Sequence, residues 1–193
     1  ILPAILPLAN HSHPSRVLLL GDDTGACLRV CSHFPVQQIV AVRKDTQTTE
    51  LARKFTWSRQ QLPPDNDERV QILHEPEILA VRRRELDRFD VVIASGNITA
   101  LDSDVSQYTA EFYQAIRSRM NADAVFCQRF RQRDLGPDPL TVTMTTLMNT
   151  FVNVGIIQIV PGEIVVLASD SGKGLIDPTF LSQLQRDHVR REI

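Results

Sequence analysis

A chain of 193 residues, 42% hydrophobic and 23% charged, can bury one substantial α/β core and leaves no length for a second full domain. Its formal charge of −2 gives no general attraction to phosphate backbones, so nucleic acid is not an expected partner and short basic runs such as Arg82-Arg83-Arg84 read as solvated helix faces. Cys27, Cys31 and Cys127 cannot all pair, and a core of this size needs no staple, which points to a reducing compartment.

The chain opens on "ILPAILPLA", nine apolar and proline residues starting from Ile1 rather than Met, which suggests a piece of a longer protein. The stretch falls short of the roughly 20 residues a bilayer requires, and it lacks the basic start of a signal peptide. His11-Ser12-His13 follows as a polar connection. "VLLL" (Val17 to Leu20) predicts a buried strand, and Gly25 to His33 a helix opening straight from a glycine turn. Cys27 and Cys31 stand one helical turn apart with only His33 nearby, too few ligands for zinc, so no metal is expected.

A second strand is predicted over Gln37 to Val42 and a helix near Thr46 to Phe55. The polar loop "SRQQLPPDNDER" then leads to a third strand, Arg69 to Leu73. Glu77 to Arg84 reads as helix, and "FDVVIAS" (Phe89 to Ser95) as a strand buried on both faces. Tyr108 to Met120 is amphipathic, Ala124 to Phe130 a fifth strand, and a loop with Gly136, Pro137 and Pro139 precedes a helix from about Leu140 to Val152. "VGIIQIV", a Pro161-Gly162 turn and "EIVVLAS" make a hairpin, and Pro178 to Arg191 a last helix. Strand-helix units ending in a hairpin predict an α/β fold: a class I methyltransferase-like Rossmann domain. Its doubly wound, mostly parallel sheet has seven strands and an antiparallel C-terminal hairpin, all in one domain, 1–193.

In such a sheet ligands sit outside the carboxyl ends of the strands, at the switch in strand order. After the first strand comes Gly21-Asp22-Asp23-Thr24-Gly25-Ala26. The glycines permit a tight turn and close approach of backbone to a ligand, while the two acids would repel a pyrophosphate and attract an ammonium or sulfonium. Equally, both aspartates could cap the following helix. The second strand ends at Arg43, where nucleoside-binding domains carry an acid for the ribose hydroxyls, with Asp45 two residues on. An arginine there suits a 2′-phosphate, but GxGxxG is missing and neither tyrosine has a lysine four residues later, which disfavours NADP reduction.

These residues resemble the spermidine and spermine synthases, the polyamine aminopropyltransferases, and among them the divergent domains fused to membrane segments. The resemblance rests on "LPLANHSHPSRVLLLG", "RVQIL", "FDVVIAS", "YTAEFYQAIRSRM" with its Glu111-Phe112-Tyr113, "AVFCQ" with Gln128, and the hairpin "IIQIVPGEIVVLAS". It implies decarboxylated S-adenosylmethionine as co-substrate, a polyamine acceptor, no metal, and a small N-terminal β-domain that is absent from this piece. It also implies a cofactor site built from Gly21, Asp22, Asp23, Gly25, Arg43, Asp45, Glu75 and Asn97. The family's catalytic acid falls on Ser95, and Asp102 and Asp104 could form an acidic lip over the amine. Serine cannot hold a general-base charge near neutral pH.

Two functions therefore fit: an aminopropyltransferase, or a catalytically inactive nucleoside-binding or structural domain of a larger protein. An ordinary methyltransferase is a lesser third, because the paired aspartates would repel the carboxylate of S-adenosylmethionine. A cytoplasmic setting is expected, with membrane contact only through segments outside this piece, and a homodimer is compatible with the family.

Overall fold

The structure is a computed structural model that describes residues 2–44, 46–55, 65–95, 106–172 and 175. Asp45, Asn97, Asp102, Asp104 and the expected last helix lie outside the described residues.

Strands β1 (Arg16–Leu20), β2 (Gln38–Val42), β3 (Val70–Leu73), β4 (Phe89–Ala94) and β5 (Met120–Arg131) run parallel, and β6 (Asn153–Val160) and β7 (Glu163–Ser169) form the hairpin. The order across the sheet is β3-β2-β1-β4-β5-β7-β6, with β7 inserted antiparallel to both neighbours. The doubly wound topology read from the alternating periods is thus present, and the reversal of strand order lies between β1 and β4.

Residues Val17 to Leu20 are fully buried because both faces of β1 are covered, so their side chains alternate between two cores. Leu18 and Leu20 join Val40, Val92 and Phe126 under α4 (Glu77–Arg82), α5 (Ala110–Ser118) and α7 (Pro137–Thr150). Val17 and Leu19 join Ile39, Val91 and Ile93 under α1 (Leu2–Asn10) and α2 (Ala26–Ser32). The remaining helices are α3 (Thr46–Phe55), on the β2–β3 crossover, and α6 (Gln132–Leu135), one short turn before α7.

One element was not assigned from the sequence and another starts earlier than expected. The apolar start is a helix, α1, although Pro7 lies inside it. A proline there removes one intrahelical hydrogen bond. Complete burial of Ala4, Ile5, Leu8 and Ala9 against the sheet and α2 outweighs that loss. Likewise α7 begins at Pro137, not Leu140, since prolines are tolerated in a first turn whose N–H groups have no helical partner.

Helix α7 is rich in threonine. Thr141, Thr143, Thr145, Thr146 and Thr150 each donate a hydroxyl to the carbonyl four residues back, at 2.8 to 2.9 Å. Thr145 is exposed and its hydroxyl only duplicates what water offers. Thr145→Ala is expected to raise stability by about 0.5 kcal/mol, the helix-propensity difference, measured by urea denaturation.

Candidate functional site

Strand β1 runs into a turn that two glycines make possible. Gly21 and Gly25 have φ of 72° and 73°, a left-handed conformation costly for any other residue. The Gly21 N–H still donates to the Val42 carbonyl at 3.0 Å, and the Gly25 N–H closes the turn onto the Asp22 carbonyl at 3.1 Å. Gly25 is the residue before α2 and has no side chain with which to cap it.

That cap comes from Asp22. Its two carboxylate oxygens accept from the backbone N–H groups of Cys27, at 3.1 Å, and Leu28, at 2.8 Å. Asp22 is only 3% exposed, and both carboxylate oxygens serve the helix. This is the geometry of a helix cap. Burial pushes its carboxyl above the ordinary carboxylate range, against the opposing pull of the Leu28 and Cys27 N–H groups and the Arg43 guanidinium. Asp23 is half-buried, and its carbonyl receives the Thr49 hydroxyl at 3.0 Å.

Arg43, at the carboxyl end of β2, does not reach out towards a ribose or a 2′-phosphate. It is fully buried, its Nε donating to the Asp22 carbonyl at 3.2 Å. Its two terminal nitrogens grip Asp65 bidentately, at 3.1 and 2.9 Å, and the carboxylate is 11% exposed. Asp65 lies in the loop before β3, which the sequence pattern marks only as a polar connection. The available signal was Arg43 itself, since a cation at the end of a buried strand requires a carboxylate partner.

The other candidate groups are also engaged. Ser95, just past β4, donates its N–H to the Leu20 carbonyl at 2.9 Å, and its hydroxyl leans on the same oxygen at 3.4 Å. Beside it the Cys27 thiol is pushed up to about 12, chiefly by burial and then by the Asp22 carboxylate, so it is no nucleophile at neutral pH. Glu75, after β3, forms an ion pair with Arg83 at 2.6 Å. Glu111 opens α5 while Phe112 and Tyr113 are buried. The Tyr113 hydroxyl donates to Gln128 at 2.9 Å, and Gln128 in turn donates to the Gln107 carbonyl at 3.3 Å. This chain of bonds ties α5 and β5 to the short 3-10 turn Ser106–Tyr108, at the described edge of the segment that carries Asp102 and Asp104.

The structure therefore gathers Gly21, Asp22, Asp23, Gly25, Arg43, Glu75 and Ser95 around the carboxyl ends of β1 to β4. Among the described residues, the carboxylates of Asp22 and Glu75 at this end are engaged by backbone N–H groups and by Arg83.

Residues 4–157 match the spermine/spermidine synthase domain. The chain belongs to that family. A polyamine aminopropyltransferase from Erwinia tasmaniensis is 35% identical over 127 residues, covering 63% of this chain and 42% of the relative, and one from Thermotoga petrophila is 31% identical over 124 residues. This synthase-family chain thus spans less than half the length of those curated relatives. Among solved structures, a spermidine synthase in complex with the transition-state analogue AdoDATO superposes with a TM-score of 0.79 at 22% identity, covering 96% of this chain and 66% of that one. Human methyltransferase-like protein 13 in complex with SAH gives 0.68 at 19% identity, covering 98% and 87%. Both likenesses establish the class I methyltransferase-like fold that the strand order already indicated.

Proposed function

We propose that this domain holds the adenosyl end of decarboxylated S-adenosylmethionine and, within the whole protein, transfers its aminopropyl group to a polyamine. The observation that carries the reading is the turn Gly21 to Gly25. Its two left-handed glycines keep side chains off the end of β1, at the switch point of a sheet whose family relatives are aminopropyltransferases. In the reaction an amine nitrogen forms a bond to the carbon beside the sulfonium and the carbon–sulfur bond breaks. Sulfur takes the electron pair, and 5′-methylthioadenosine leaves neutral. The amine, with a pKa of about 10, must first give its proton to a base. Ser95 cannot take it. Asp104 is the candidate acceptor, and Asp45 and Asn97 are candidate ribose and adenine contacts. The rest of the barrier falls through in-line positioning.

One observation favours the second reading, a nucleoside-binding domain without catalysis. Serine stands where the family has its acid, and its hydroxyl is turned towards a backbone carbonyl. The cytoplasm is the setting we propose, and no helix among the described residues is long and apolar enough to cross a membrane. Membrane contact would come only through segments outside this one, and a homodimer is compatible with the family.

A thermal melt with 5′-methylthioadenosine separates these readings from failure of both. A ligand at a hundred times its dissociation constant stabilises the native state by about 2.7 kcal/mol, a shift of several degrees. A shift together with product from putrescine and decarboxylated S-adenosylmethionine, lost in Asp104→Asn, supports the transferase. A shift without product supports the binding domain. No shift at millimolar nucleoside overturns both.

A further inference from the structure

At the opposite, amino-terminal end of the parallel strands lies a group of side chains that the nucleoside site does not use. His11 opens the connection from α1 to β1 and is 6% exposed, yet its Nε2 is buried with no hydrogen-bond partner among the described residues. It faces the carboxylate of Asp123, whose Oδ2 lies 3.8 Å away, beyond hydrogen-bond reach. Asp90, the second residue of β4, completes the group, and one ligand atom from each residue lies within 4.8 Å of the others.

The backbone is shaped to bring them together. Phe89 pairs with Met120 but Val91 pairs with Val125, so residues 121–124 bulge opposite Asp90 alone. Bulges of this kind redirect side chains. This one delivers Asn121 Nδ2 to Asp90 at 2.6 Å and Asp123 to His11. Asp90 is held firmly: one oxygen accepts the N–H groups of Ser15 and Arg16, both at 2.9 Å, and the other accepts from Asn121 and keeps one lone pair. A carboxylate oriented by its own hydrogen bonds beside an imidazole is how metal ligands are supported.

We infer that His11, Asp90 and Asp123 form a binding site for a divalent first-row transition metal such as zinc. Two carboxylates match the charge of the ion. The imidazole selects it over magnesium, which prefers an all-oxygen shell. Asp123 is 57% exposed and opens the site to solvent. At present the His13 N–H donates to His11 Nδ1 at 3.3 Å, which places the ring proton on Nε2. Metal coordination moves that proton to Nδ1 and displaces the long contact, a shift that the exposed Ser12-His13 turn can accommodate. The ion would fasten the α1–β1 connection to the β5 bulge, far from the strand ends where a nucleoside would sit.

Calorimetric titration of the full chain with Zn2+, Co2+ and Mg2+ tests the site. The expected result is one Zn2+ or Co2+ per chain, a Co2+ visible absorption band, no comparable Mg2+ binding, and a melting temperature raised by Zn2+ and restored by chelator. Asp123→Asn, at an exposed position that should leave the fold intact, is expected to weaken Zn2+ binding at least ~10-fold. His11→Gln should do the same and His13→Gln should not. Absence of saturable one-to-one binding overturns the assignment, as does wild-type affinity in Asp123→Asn. If His11→Gln fails to fold, the Asp123 variant alone decides.

Discussion

Asp65→Ala is expected to destabilise the domain by about 3–5 kcal/mol, the cost of stranding one member of a buried ion pair. The guanidinium of Arg43 is fully buried and receives both carboxylate oxygens of Asp65, leaving only its Nε bond to the Asp22 carbonyl when Asp65 is removed. Arg43→Met should cost less, because Asp65 keeps some exposure and can turn towards water once released. Arg43→Lys should not restore the wild type, since an ammonium cannot make the bidentate fork. Urea denaturation of the three variants checks the order. Equal losses for Asp65→Ala and Arg43→Met would show that the arginine is not trapped in the way the geometry implies. A double change to apolar residues of similar size should recover much of the stability.

Asp90→Ala is expected to cost about 2–3 kcal/mol at neutral pH, because three donors, the N–H groups of Ser15 and Arg16 and the Asn121 amide, lose their acceptor. Its pH dependence has a definite sign. Burial pushes the carboxyl upward, but the bonds from Asn121, Arg16 and Ser15 and the nearness of His11 outweigh it and hold the group below its ordinary 3.8. The unfolded state therefore binds more protons in that range, and stability rises with pH there. The contribution is complete above 3.8 and is lost as pH falls through the lower folded value. Denaturation measured in chelator from neutral to acid pH should show the gap between wild type and Asp90→Ala closing only at the acid end. A constant gap would contradict the role.

Much of the fold was legible because each strand carries its period and its punctuation. The hairpin over Val154 to Ser169, the buried strand before Gly21 and the strand Phe89 to Ala94 follow from local pattern and turn chemistry alone. Helix α1 did not, because two prolines argue locally against a helix that burial stabilises from outside. The glycine turn was legible in shape but ambiguous in chemistry. "GDDTGA" is compatible both with acids presented to a cation and with acids capping a helix.

By itself, then, the sequence determined the order of the strands, the two-sided burial of the sheet and the glycine turn at the end of its first strand, since these depend on periodicity and on glycine's freedom of φ. Only the tertiary structure decided what the charged residues do. Asp22 turns inward to α2, Arg43 closes on Asp65 across 22 residues of chain, and His11 meets Asp90 and Asp123 through a bulge. The physical reason is common to all three. A buried charge or imidazole is governed by whichever partner the packed chain brings within a few ångströms, and that distance is a property of the fold, not of spacing along the sequence.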